Sequence, residues 1–152
     1  MDEEIDRGLL DISDAVGNDL SYFHEEPGRY FDPITLALGV AALLAIDFAK
    51  GFVKVAQEHS KHLGESFANE LFEHGKKLLD KNKDQQKEEA KQAVTQLKAA
   101  SSSLTDEEKA KASRDSEEAL VAVLLMHGIT AARAAEIAQQ TSDIATKMAA
   151  VA

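Results

Sequence analysis

Hydrophobic positions along the chain recur in steps of three and four rather than in alternation, which is the spacing of helices with one buried face. The first run is Ile5, Leu9, Ile12, Val16, Leu20 and Phe23, a single stripe on an otherwise acidic helix within 1–26. Pro27 and Gly28 interrupt it, and Asp32 followed by Pro33 reads as an N-cap and the first position of a new helix. From Pro33 to Ile46 there is no charge, and apolar side chains run round nearly the whole circumference. That stretch rises only about 21 Å as a helix against a hydrocarbon layer of roughly 30 Å, so a buried or interfacial helix is expected rather than an ordinary bilayer span. After Asp47 two faces separate within the helix expected over 33–63. Phe48, Phe52, Val55, His59 and Leu63 lie on one, and Asp47, Lys50, Lys54, Glu58 and Lys61 on the other. The helix is expected to leave its apolar surroundings from Asp47 onward.

The region 64–100 is charged and helical, with a break expected near Gly64 or Gly75. Charges alternate in sign from Lys76 to Lys91, and Ala90, Val94 and Leu97 make a thin apolar side, which places this part at the edge of the fold. Ser101, Ser102 and Ser103 form a short linker, after which Thr105 and Glu108 have the spacing of a capping box. The apolar block Leu120 to Met126 ends at His127 and Gly128, where glycine suits a left-handed helix C-cap. Ala134, Ile137, Thr141, Ile144 and Met148 then mark a final helix, so 105–152 reads as a helical hairpin. The whole predicts an all-α single domain over 1–152, a bundle of about five helices with the apolar helix at its centre and Leu120 to Met126 packed against it.

Composition narrows the chemistry. With 17 Lys and Arg against 27 Asp and Glu, the formal charge of -10 repels nucleic acid, which is excluded as a partner. Without cysteine there is no disulfide and no thiolate site, and no phosphate loop, nucleophile elbow or zinc-protease helix occurs. His59 and His62, with Glu58, Glu65 and His74 near in sequence, lack the Glu three residues ahead that helical metal sites use. The expectation is therefore a non-enzyme with no catalytic residue, no metal and no cofactor. The hairpin at Gly128 carries no net positive charge on its second helix, since Glu136 and Asp143 cancel Arg133 and Lys147, which argues against a DNA-reading helix. The acidic start Met1, Asp2, Glu3, Glu4 is unlike a secretory signal, and the cytoplasm is the expected location, with a position peripheral to a membrane as the alternative.

Asp32, Pro33, Ile34, Thr35 and Leu36, the run from Ala37 to Ile46, and Lys50 with Gly51 resemble the leading helix of fungal HeLo-type domains and their bacterial Bell counterparts. The resemblance covers about twenty residues and implies a helical bundle associated with membrane-disrupting cell death. In that family the apolar helix usually comes first, whereas here an acidic helix precedes it. Two functions follow as expectations. The first is a helical module that binds a protein partner or copies of itself. The alternative is a membrane-perturbing effector whose helix 33–46 is covered by the acidic one. In either case the contact residues would be Ile34, Leu36, Leu38, Val40, Leu43, Leu44 and Ile46.

Overall fold

The computed structural model describes residues 2–23, 33–58 and 63–151. Among the described residues six α-helices follow one another: α1 Asp2–Val16, α2 Pro33–Glu58, α3 Glu65–Leu79, α4 Lys83–Ser101, α5 Asp106–Met126 and α6 Ala131–Val151, with a 3-10 segment Gly17–Phe23 after α1. No strand occurs among the described residues. The expected all-α bundle with a central apolar helix and a C-terminal hairpin is what forms.

The helix ends follow local chemistry. Thr105 and Glu108 close the expected capping box, with Glu108 N–H donating to Thr105 Oγ1 at 3.1 Å and Thr105 N–H to Glu108 Oε1 at 2.9 Å. Asn82 and Gln85 do the same for α4. Gly128 has φ 95°, and the amides of Ile129 and Gly128 return to the carbonyls of Leu124 and Leu125, the Schellman closure that ends α5 and turns the chain into α6. Gly64 stands at the N-cap of α3, but Gly75 is interior to that helix, and the second break falls at Asp80 to Asn82, so the region 64–100 holds two helices.

α2 is the axis of the bundle. It packs most extensively on α4 and α5, and also on α1, α3 and α6. This corrects the expectation that the 76–100 region lies at the edge. Ala90, Ala93, Val94 and Leu97 of α4 are buried, and the small side chains of Ala90 and Ala93 favour a close approach of the two backbones. Gln86 is buried as well, and its amide Nε2 donates to the carbonyls of Leu78 and Lys81, satisfying the end of α3 while it rests against Gly39 of α2. α1 buries Ile5, Leu9, Ile12 and Val16 between α2 and α6.

Candidate functional site

The candidate contact residues all lie on the apolar helix α2. Of the residues expected to make contacts, Leu36, Val40, Leu43, Leu44 and Ile46 are buried in the core, Leu38 is half-buried, and Ile34 is 70% exposed. The structure therefore brings most of the set together inside the bundle, and of that set only Ile34, at the amino-terminal end of α2, is exposed. Phe48, Phe52 and Val55 continue the buried surface, so the helix stays inside well beyond Asp47. Ile34–Glu58, 25 residues, is by length and composition able to cross a membrane, and 78% of its apolar window is buried in the bundle. His59 and His62 lie outside the described residues.

Asp47 is the main departure from the sequence reading, which put it on the solvated face. It is 1% exposed, and neither carboxylate oxygen has a hydrogen-bond partner. Burial pushes its carboxyl well above the usual range, and the charge of Lys50 opposes that only in part. The reason for its burial is the stripe on which it stands. Gly39, Leu43, Asp47, Lys50 and Lys54 run along one side of α2, under α3 and its turn into α4. A Cβ at Gly75 of α3 would lie 2.7 Å from Leu43 Cδ1, and the Lys54 ammonium sits 5.0 Å from the Phe67 ring centre. The signal in the sequence was a lone acid inside a run that remains apolar on its opposite side, Phe48, Ala49 and Phe52 included.

α1 is fastened over this core at two places. Arg133 of α6 donates from Nε to Asp19 and from Nη2 to the carbonyls of Ala15 and Val16, so one guanidinium satisfies the carboxyl end of α1 and holds the 3-10 segment beyond it. Gly17, with φ 57°, makes that bend. Lys87 of α4 pairs with Asp6 at 3.0 Å nearer the other end of α1. Between α1, α2 and α4 a cleft of about 370 Å³ remains, lined by Leu9, Leu38, Ala42 and Gln86 among others. No group of three or more metal-binding side chains occurs among the described residues.

At the α5–α6 turn, Tyr22, Leu125 and Met126 are exposed, and a Cβ at Gly128 would lie 3.4 Å from Tyr22 Cδ1. His127 is buried there, its ring 4.4 Å from that of Phe23 and 4.7 Å from that of Phe72. The chain matches no protein-family model, no curated protein and no solved structure.

Proposed function

We propose that the protein is a membrane-perturbing helical effector that holds α2 inside the bundle and lays it into a bilayer interface when the bundle opens. The observation that supports this reading is the build of α2 itself: a helix of bilayer length, apolar over most of its circumference, with Lys50 and Lys54 on its one polar stripe. Such a helix lies in an interface with its apolar face down, and its lysines favour anionic headgroups. The resemblance of 32–46 to HeLo-type and Bell helices points the same way. In the closed form α1 covers α2, and its carboxylates keep the resting protein from anionic lipid.

The absence of cysteine allows a direct test. A Cβ at Gly8 of α1 would lie 2.5 Å from Met148 Cγ of α6, so Gly8→Cys paired with Met148→Cys is within reach of a disulfide. The reduced double variant should release dye from vesicles of mixed anionic and neutral phospholipid, and the oxidised one should release at least roughly tenfold less. A reduced protein that neither floats with vesicles nor releases dye would overturn the reading.

The exposed group at Tyr22, Leu125 and Met126 supports a second reading, a module that binds a protein partner or another copy through this end. Sedimentation of the chain with and without Leu125→Glu tests it: a self-association that the substitution abolishes supports this reading, and a monomer in both cases removes self-association.

A further inference from the structure

The polar residues of α2 are not scattered. At 100° per residue Thr35, Asp47, Lys50, Lys54, Gln57 and Glu58 fall within about 140° of arc, and the opposite side carries none. Asp47 stands within a residue of the midpoint of Ile34–Glu58, the place on the helix farthest from water at either end. A carboxylate without a partner in such a position is costly to keep charged, and deletion of the charge relieves the fold.

The charged groups on the helices packed against α2 do little to offset that cost. Lys50 lies one turn on and forms no ion pair with it. On α3, His74 meets Glu89 of α4 at 3.4 Å, and Glu89 is already engaged by Lys81 at 2.7 Å. On α5, Asp115 is paired with Lys111 at 2.8 Å, and the uncharged Ser116 hydroxyl goes to the Phe48 carbonyl. The buried residues of α1 and α6 carry no charge. Lys50 thus acts on Asp47 only across space, and neither carboxylate oxygen has a hydrogen-bond partner.

We propose that ionisation of Asp47 is the step that loosens α2 from the bundle, the helix being locked while the carboxyl is protonated. The consequence for lipid rests on the membrane reading, but the change within the bundle does not. Once α2 leaves the core, its stripe turns to water and the charge on Asp47 is solvated while the apolar side enters the interface. The sign follows from linkage. Because burial raises the carboxyl in the folded chain, the folded form keeps a proton that the unfolded form has lost. Stability is fullest at acid pH and falls as pH rises from the ordinary carboxylate range through the raised folded value.

The test compares the melting of the full chain with that of Asp47→Asn across pH, so that every other titrating group cancels in the difference. The variant should melt higher than wild type by about 5–10 °C near pH 8, and the gap should close by about pH 4. Asp47→Leu repeats the comparison with a side chain that neither titrates nor hydrogen-bonds, and should behave alike. A gap that does not change with pH, or both variants melting below wild type at alkaline pH, would overturn the proposal. Dye release from phosphatidylglycerol vesicles that rises with pH for wild type and stays flat for Asp47→Asn supports it further. If wild type releases no dye at any pH while the melting gap follows pH as expected, the membrane reading fails and the role of Asp47 in the bundle stands.

Discussion

Ser116 on α5 donates its hydroxyl to the carbonyl oxygen of Phe48 on α2 at 2.6 Å, a bond between two buried residues of the bundle's principal helices. Its closeness depends on Gly51, one turn further along α2. A Cβ there would fall inside van der Waals contact with the Ser116 hydroxyl and 3.1 Å from Ser116 Cβ. Gly51→Ala is therefore expected to destabilise by about 1–3 kcal/mol, although alanine is the better helix former by about 1 kcal/mol. Ser116→Ala should cost about 1–2 kcal/mol for the lost bond. Because the clash is largely with that hydroxyl, Gly51→Ala should cost less when Ser116 is already alanine. Urea midpoints of the four proteins measure this, and strictly additive costs would show that the two sites do not meet.

Burial along α2 gives a second contrast. Leu44 is fully buried and Ile34 is exposed on the same helix. Leu44→Asp, and Leu43→Asp beside it, should cost more than about 4 kcal/mol or prevent folding, because a charge would enter the core unpaired. Ile34→Asp should stay within about 0.5 kcal/mol of wild type. Similar melting temperatures for the two substitutions would place α2 outside the core.

Much of this architecture could be read from the chain because the signals were local. Thr105 with Glu108, and Gly128 after a run of apolar residues, mark helix ends through bonds made within a few residues. The stripe Ile5, Leu9, Ile12, Val16 likewise declares its buried face by spacing alone. What was misread depends on partners distant in sequence. Ala90, Val94 and Leu97 look like a thin apolar side, yet all three are buried and α4 packs extensively on α2. Gly75 looks like a helix end, yet it is a gap that receives Leu43. Asp47 belongs by periodicity to the same side as Lys50 and Lys54, and nothing in its own neighbourhood states that α3 covers that side. The site was legible as a segment, 33–46, but not as a helix whose burial continues through an unpaired carboxylate.

His74 provides a pH dependence opposite in sign to that of Asp47. Burial holds its imidazole below the usual range, Lys50 adds to the effect, and the neighbouring Glu89 opposes it. The unfolded chain therefore takes up a proton that the folded chain resists, and stability contributed by His74 is lost as pH falls through the ordinary histidine value toward the lowered one. His74→Gln should remove that component. Between about pH 8 and pH 5 wild type should lose more stability than the variant, as read by urea midpoints at each pH. Parallel curves for the two proteins would show that His74 does not titrate in this interval.

The last prediction concerns the covering helix and follows from its charge and its clasp together. Residues 1–26 carry nine acids and one base, so their deletion would leave about -2 of the formal -10 and would uncover the face of α2 that Ile5, Leu9, Ile12 and Val16 pack against. Both changes favour an anionic bilayer, the first by removing repulsion and the second by exposing apolar surface. Arg133→Gln acts on the same helix without altering its charge. It removes the donors that hold Asp19 and the carbonyls of Ala15 and Val16, bonds to a charged group worth about 1.5–3 kcal/mol, and should make Gly17–Phe23 the first site of limited proteolysis. Under the membrane reading, dye release at low ionic strength should rise in the order wild type, Arg133→Gln, deletion, and added salt should narrow the difference between wild type and the deletion, whose origin is partly electrostatic. Leakage has to be scored on monodisperse protein, because a bundle that has lost one helix also aggregates, and aggregates bind lipid without selectivity. A monodisperse deletion protein that leaves vesicles intact, while Arg133→Gln is cut within Gly17–Phe23 as expected, would show that α1 is clasped to the bundle for stability alone, and the reading of α2 as a sheathed membrane helix would be given up.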